Sequence, residues 1–155
     1  MLVSPWNLDT DYDTLVNWWE QYDFGQVPKE CLPPIGVMVT HNDKPICAGG
    51  LYIGIGTKFA FMEWIVADPK APPKLTHKCI KLLIDKLISN AKEEGCLLLY
   101  TVTENPGLHK RYVKYHGLSQ GEKGAKTFIK DLTDGEYGSL LWAKSQEVLD
   151  EEPKN

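Results

Sequence analysis

The sequence has few of the features that mark metal sites, disulfides, membrane segments or nucleic-acid-binding surfaces. Its four cysteines show no C-x-x-C spacing, which argues against a metal site and against disulfides and favours buried reduced thiols. No apolar run is long enough to cross a membrane and no leader pattern opens the chain, so we expect a cytoplasmic protein that does not associate with membranes. The net charge of −4 argues against a general nucleic-acid-binding surface.

The composition fits a single domain. The chain has 155 residues, of which 43% are hydrophobic and 25% are charged, as in an ordinary soluble protein with one core. We expect this domain to cover residues 1–149. Residues 150–155 are largely charged, and we expect them to form a disordered tail.

The order of turn signals and apolar runs predicts β-α-loop-β-β-β-α-β-α-β, which indicates an α+β protein with a mixed sheet. Because crossovers between parallel strands are right-handed, we expect the long helix to lie on one face and to join two parallel strands. Glycines 49 and 50, inside a strand, predict a bulge or a close backbone approach. The predicted strands are 2–6, 35–40, 45–53, 58–67, 96–102 and 127–132, and the predicted helices are 9–22, 75–94, 105–116 and 140–149.

Residues 95–118 carry the most specific pattern. The run 97–100 has no polar alternation, which is typical of a strand buried on both faces. Asn105, followed by Pro106, predicts a helix N-cap, and Gly117 predicts the C-terminal cap of the same short helix. A strand that leads into a capped helix presents free backbone N–H groups to a ligand.

This stretch, together with residues 60–77, resembles the GCN5-related N-acetyltransferases (the GNAT family), and most of all its divergent, phage-type members. In that family a buried strand leads to an asparagine and then to a short helix with a tyrosine-containing signature before a glycine. The order of elements over residues 1–132 also resembles the family. The resemblance implies a mixed, mostly antiparallel sheet with flanking helices, in which a central parallel pair of strands splays apart around acyl-CoA.

The resemblance implies a binding site for acetyl-CoA, or another acyl-CoA, between these strands. The family's glycine-rich phosphate loop is absent, and residues 72–77 read PPKLTH instead. The two prolines remove two N–H donors, so a helix N-terminus and the side chains of its first turn would hold the diphosphate. An ordinary helix start capped by prolines is the alternative. The expected cofactor contacts are Trp64, Ile65, Val66, Ala67, Lys74, Leu75, Thr76, His77, Asn105, His109 and Lys110.

Glu63 is the best candidate for a general base. It stands in an otherwise apolar strand, where burial raises the pKa of a carboxyl group toward neutrality. The alternative is a solvent-facing glutamate on a half-exposed strand. By resemblance, a tyrosine protonates the departing thiolate. Its family position falls on Val113, so Tyr112 is the first candidate and Tyr115 the second, with ordinary packing as the alternative.

Aromatic residues are concentrated in the N-terminal half, where the resemblance implies the wall of the acceptor site. Adjacent residues on a helix diverge by ~100°, so we expect either Trp18 or Trp19 to line a groove or an interface. Packing in the core is the alternative for the whole set. The residues proposed to bind the acceptor are Trp18, Trp19, Tyr22 and Phe24, out of a group that also includes Trp6 and Tyr52.

The function that these observations favour is an N-acyltransferase in which a primary amine attacks the acyl-CoA directly in a ternary complex. The acceptor would be a small amine, a protein amine or an aminated nucleobase, the last being the one nucleic-acid partner that we expect. The alternative is a catalytically inactive GNAT-fold binding protein, such as a viral inhibitor of a host protein in the host cytoplasm. An exposed tryptophan or an unpaired edge strand would support a homodimer.

Overall fold

The structure, a computed structural model, describes residues 1–136. The strands are β1 (Leu2–Pro5), β2 (Ile35–His41), β3 (Lys44–Ile53), β4 (Phe59–Ala67) and β5 (Leu98–Tyr100). The helices are α1 (Leu8–Gln21), α2 (Pro73–Glu93) and α3 (Pro106–His116), with a short 3-10 turn at Lys29–Cys31.

The strands form one sheet in the order β1-β2-β3-β4-β5. The first four are antiparallel neighbours, and β5 pairs with β4 in parallel. Asn42 and Asp43 join β2 to β3 with φ values of 51° and 62°, which is the left-handed backbone of a tight hairpin. The predicted α+β fold with a mixed, mostly antiparallel sheet and one parallel pair is therefore confirmed.

Each face of the sheet carries its own helix and its own core. On one face, α2 buries Leu83, Ile84 and Leu87 against residues that include Met62 of β4. On the other face, α1 buries a second cluster of Leu15, Trp18, Trp19, Trp6, Met38 and Ala48. The indole of Trp6 lies flat on the sheet, since a Cβ added at Gly36 would stand 1.9 Å from its ring.

Helix α1 begins earlier than the acidic cluster at 9–11 predicts. Its N-cap is Asn7, whose side chain accepts a hydrogen bond from the Asp9 N–H at 3.1 Å. The Asp11 carboxylate accepts from the Asn7 N–H at 2.7 Å. The Asn7 side chain thus satisfies the backbone N–H of Asp9, and the Asp11 side chain satisfies that of Asn7, so the acidic residues fall in the first turn instead of at the cap.

The run 96–102 is a correction to the prediction. It forms only the short strand β5, with Leu98 68% and Tyr100 51% exposed, so it is not buried on both faces. The predicted strand 127–132 is also wrong, because the chain is irregular there and Phe128 and Leu132 are exposed. Among residues 1–136, no strand pairs with the far side of β5. The predicted helix 140–149, the tail and the domain end lie outside the described residues.

The cysteines only partly match the prediction of buried thiols. Cys47 and Cys79 are buried and Cys96 is half-buried, but Cys31 is exposed because it ends the 3-10 turn at the surface. No helix within residues 1–136 has both the length and the apolar content needed to span a membrane.

Candidate active site

The site begins where β4 and β5 part. Their parallel pairing runs from Phe59 opposite Leu98 to Phe61 opposite Tyr100, where β5 ends while β4 continues to Ala67. The Thr101 hydroxyl closes the paired region by donating to the Met62 carbonyl at 2.7 Å. The last residues of β4 therefore face a gap on this side of the described sheet.

A bulge shapes the β4 side of the gap. The pairing with β3 shifts between Gly50 opposite Glu63 and Ala48 opposite Val66, so two residues of β4 face Gly49. A Cβ at Gly49 would stand 2.5 Å from the Ile65 side chain, which confirms the predicted bulge and close approach. Trp64 within the bulge has φ 63°, a left-handed conformation that is costly for a bulky side chain.

A chain of hydrogen bonds holds the bulge in place. The Trp64 indole N–H donates to the Tyr52 hydroxyl at 2.8 Å, and that hydroxyl donates to the Cys31 carbonyl at 2.6 Å. The Trp64 backbone N–H donates to Oε1 of Glu63 at 3.2 Å. The bulge is thereby linked both to the loop after α1 and to the carboxylate at the gap.

Glu63 has the properties expected of a base. Burial raises the pKa of its carboxyl group to about 7, against the opposing effect of the Trp64 N–H hydrogen bond. Strand alternation places Glu63 on the same face as Phe61, since Ala60 and Met62 pack in the α2 core. Its half-buried position separates it from a glutamate that simply points into solvent.

Tyr112, and not Tyr115, reaches the gap from α3. Tyr112 is 6% exposed and packs in the α2 core, whereas Tyr115 is 42% exposed. Burial is the main cause of the raised pKa of Tyr112, a hydrogen bond with the Thr101 hydroxyl opposes it, and the charge of Glu63 adds to it. The Tyr115 ring instead packs edge-on against His77, with centroids 5.9 Å apart.

The first turn of α2 forms a second, cationic part of the site. An open depression of about 400 Å³ is lined by Pro73, Lys74, His77 and Lys78. The first turn carries no acidic residue, and no side chain caps it. Leu75 and Thr76 lie in the same turn, so the structure brings the four predicted residues 74–77 together.

Arg111 joins this cationic group from α3. Its guanidinium donates to the His77 carbonyl at 3.1 Å and lies 2.7 Å from Nδ1 of the same residue. Neither Arg111 nor Lys78 was among the cofactor contacts predicted from the sequence, although Arg111 belongs to a basic cluster of the short helix that also includes Lys110, Lys114 and His116. The spacing from Lys74 to Lys78 was a usable signal, because residues four apart share one helix face. The approach of Arg111 depends on how two distant helices pack.

The residues before and within α3 have defined roles. The Asn105 side chain accepts from the N–H groups of Gly107 at 2.8 Å and Leu108 at 3.3 Å, which confirms the predicted N-cap. His109 forms a 2.5 Å hydrogen bond between Nε2 and the Thr103 carbonyl, so its ring braces the turn between β5 and α3. Lys110 is exposed on the same helix.

No protein-family model and no curated protein matches the sequence. The structure is similar to the Mycobacterium tuberculosis protein Rv2747 in complex with CoA and NLQ, at 15% identity over 82% of this chain and 76% of that one, with a TM-score of 0.63. This chain has a GNAT-like fold.

Two further solved structures support the same fold. Glucosamine-6-phosphate N-acetyltransferase from Arabidopsis thaliana is 12% identical over 83% of this chain and 98% of that one, with a TM-score of 0.60. Aminoglycoside N-acetyltransferase AAC(6')-Iy in complex with CoA is 16% identical over 84% of this chain and 99% of that one, with a TM-score of 0.59. At these identities the likeness concerns the fold.

In this GNAT-like fold, the N-terminal aromatics do not lie as predicted. Trp18 and Trp19 are both 4% exposed, so the expectation that one of them lines a groove is wrong. Helix α1 lies between the sheet and the segment after it, where the Tyr12 hydroxyl donates to the Val27 carbonyl at 2.7 Å. Both of the diverging tryptophan faces are therefore covered.

Tyr22 and Phe24 keep a position where they can meet a ligand. Their rings stack with centroids 5.1 Å apart at the exposed end of α1. Burial, and after it the charge of Asp68, raises the pKa of Tyr22, which places this ring near the residue that follows β4. Among residues 1–136, no group of three or more His, Cys, Asp or Glu side chains is placed to hold a metal ion.

Proposed function

We propose that this protein is a GNAT-superfamily N-acyltransferase that moves an acetyl group, or another acyl group, from acyl-CoA to a primary amine. The observation that carries the proposal is the position of Glu63 and Tyr112 at the gap between β4 and β5, where the charge of Glu63 acts on the tyrosine. A carboxylate with a pKa of about 7 is suited to take a proton from an ammonium group near neutral pH. The solved neighbours include proteins in complex with CoA.

The residues at the start of α2 fit the phosphates of the cofactor. The depression at Lys74, His77 and Lys78 has two lysine ammonium groups on its wall and an uncapped helix N-terminus beside it. Arg111 adds a planar guanidinium, the group best suited to bind phosphate oxygens in pairs. These side chains bind the phosphates that the backbone N–H groups of the glycine-rich loop bind in other members of the family. When bound, acyl-CoA supplies a thioester that the amine attacks directly in a ternary complex.

The protein's own groups then manage the protons. Glu63, directly or through one water, accepts the proton that the attacking amine nitrogen loses as its bond to the acyl carbon forms. Tyr112 donates its hydroxyl proton to the sulfur as the carbon–sulfur bond breaks, and Tyr115 is the second candidate for that role. Because the Trp64 N–H is bonded to Glu63, we assign polarisation of the carbonyl oxygen to N–H groups of residues 65–67.

The test is a calorimetric titration of acetyl-CoA into the full-length protein, followed by mass-spectrometric detection of acetylated products from a panel of amines. We expect micromolar binding that Lys74→Glu weakens, together with turnover of at least one amine class. Lys58→Glu, at the exposed residue just before β4, is the matched charge control and should bind like the wild type. Absence of binding at millimolar acetyl-CoA would overturn the proposal.

One observation favours the alternative of an inactive GNAT-fold binding protein. Pro72 and Pro73 stand where backbone donors would cradle a diphosphate, and prolines supply none. Binding of acetyl-CoA without turnover of any amine would support that alternative. The cytoplasmic location, the phage-type kinship and the homodimer stay predictions from the sequence.

A further inference from the structure

A row of aromatic rings crosses one face of the sheet beside Glu63. Tyr52 of β3 pairs with Phe61 of β4, and Phe61 pairs with Tyr100 of β5. Ring centroids are 6.2 Å apart for Tyr52 and Phe61, 5.9 Å for Phe61 and Tyr100, and 6.2 Å for Tyr100 and Phe59. The sequence analysis missed this row because its members belong to three separate strands.

The row is held firmly and is open to solvent. The Tyr52 hydroxyl is fixed between the Trp64 indole and the Cys31 carbonyl, as described above. Phe59 and Tyr100 are exposed, while Tyr52 and Phe61 are half-buried. Helix α1 packs with Met38 of β2, Ala48 of β3 and Val66 of β4, and none of the four rings of the row belongs to that cluster. A rigid, exposed aromatic surface suits a flat ligand better than a flexible one.

The row ends at the proposed base. Phe61 and Glu63 lie two residues apart on one face, which is about 7 Å along a strand. A planar ring lying over Phe61 and Tyr100 would therefore bring an amine to Glu63 on an arm of one or two carbons. An ammonium group there meets both a carboxylate and the negative faces of the rings, two features that favour a cation. The row itself offers no hydrogen-bonding group for a polyhydroxylated sugar beyond two tyrosine hydroxyls, one of them already engaged.

We propose that the acceptor is a primary amine carried on a planar aromatic ring by a short arm, and that the ring stacks on Tyr52, Phe61 and Tyr100. This inference rests on the proposed function and names its acceptor class. Two sources supply such a group, a free arylalkylamine or an aminomethylated nucleobase within a nucleic acid. Both share the ring, the short arm and the ammonium group that the site recognises.

The test separates ring recognition from catalysis. Binding is measured by calorimetry with CoA in place of acetyl-CoA, so no turnover takes place. The probes are tryptamine, 2-cyclohexylethylamine and glucosamine, and then 5-aminomethyl-2′-deoxyuridine, both free and within a single-stranded oligonucleotide. We expect tryptamine and 5-aminomethyl-2′-deoxyuridine, which carry a planar ring, to bind roughly tenfold or more tightly than 2-cyclohexylethylamine and glucosamine, which do not, as ring stacking predicts. The free and strand-borne nucleosides distinguish the two sources.

Tyr100→Ala removes the outer ring, and Leu97→Ala is the matched control on the same exposed edge. Tyr100→Ala should abolish most of the aromatic preference while leaving CoA binding unchanged, and Leu97→Ala should change neither. Equal binding of aromatic and non-aromatic amines by the wild type would overturn the inference. The inference would also be overturned if Tyr100→Ala kept the preference for aromatic amines while sedimentation showed that a wild-type dimer had become a monomer. That result would assign the row to self-association. Selective binding of aromatic amines without any acetyl transfer from acetyl-CoA would contradict the proposed function but would still support the aromatic row as a ring-binding site.

Discussion

Glu63 on β4 and Tyr112 on α3 interact electrostatically at the gap between β4 and β5, where the carboxylate charge adds to the effect of burial in raising the pKa of the tyrosine. The two side chains come from opposite sides of the sheet. Tyr112 packs in the core beneath α2, and Glu63 lies on the face that carries the aromatic row. In the proposed acyl transfer, Glu63 is the proton acceptor on one side and Tyr112 the proton donor on the other.

The first prediction concerns the pH dependence of turnover. Glu63 accepts a proton only when it is ionised, and its pKa is about 7. The value of kcat should therefore fall as pH drops below 7 and level off above it. Glu63→Gln should lower kcat by roughly 10²–10⁴-fold and remove this limb, with acetyl-CoA affinity retained. Measuring kcat on both sides of pH 7 for the two proteins checks this. An unchanged limb in the variant would assign the titration to another group.

The second prediction concerns stability. The folded state holds the Glu63 proton up to about pH 7, whereas the ordinary pKa is 4.5, so the folded state binds more protons in that window. The free energy of unfolding then falls as pH rises from 4.5 through 7, by up to about 3 kcal/mol. Glu63→Gln removes this loss.

Thermal unfolding of the two proteins, followed by circular dichroism, measures the effect. We expect Glu63→Gln to unfold several degrees higher than the wild type above pH 7 and at nearly the same temperature below pH 4.5. A difference that does not vary with pH would show that the substitution acts through packing.

The third prediction separates the two tyrosines. Tyr112→Phe removes the proposed acid and the hydrogen bond with Thr101, so kcat should fall roughly tenfold and stability by about 1 kcal/mol. Tyr115→Phe is the matched control, because Tyr115 is exposed and packs on His77 away from Thr101. Steady-state kinetics with saturating acetyl-CoA decides between them. A larger loss in Tyr115→Phe would transfer the acid role to that residue.

The fourth prediction tests Arg111 as a phosphate ligand. Arg111→Ala should weaken acetyl-CoA binding roughly tenfold and make it less sensitive to salt, since one charged contact is lost. Arg111→Lys should recover only part of the affinity, because an ammonium group does not reproduce the planar guanidinium. Titrations at two salt concentrations measure both effects. If Arg111→Ala weakens the binding of CoA and of dephospho-CoA, which lacks the 3′-phosphate, by the same factor, then Arg111 contacts the diphosphate and not the 3′-phosphate.

Local chemistry made much of the fold predictable. The N-cap at Asn105, the C-terminal cap at Gly117 and the bulge at Gly49 each follow from residue types that few other conformations favour. The burial of the apolar run 96–102 was predicted wrongly because it depends on which strand lies beside the run. The sequence of the run alone does not show its neighbour. Trp18 and Trp19 diverge as helix geometry requires, but the sheet on one side and the segment after α1 on the other leave both of them buried.

Candidate site residues could be proposed from the sequence where one element supplies several groups, and not where packing assembles them. Glu63 was proposed from the pattern of one strand, Tyr112 from the resemblance around Gly117, and the first turn of α2 from its position after a strand. Arg111 meets His77 across 34 residues of sequence, and the aromatic row draws on three strands. Helix packing brings Arg111 to His77 and strand pairing aligns the aromatic row, and a single sequence states neither.

The surface thiol of Cys31 has a practical consequence. All four cysteines of the chain lie within residues 1–136, and Cys31 alone among them is exposed. A disulfide reagent used to follow CoA release would therefore consume one protein thiol per molecule before any turnover. The Cys31 carbonyl is the last acceptor in the hydrogen-bond chain that begins at the Trp64 indole. A fluorophore attached to the Cys31 thiol would therefore report on the loop beside the aromatic row without any engineered mutation.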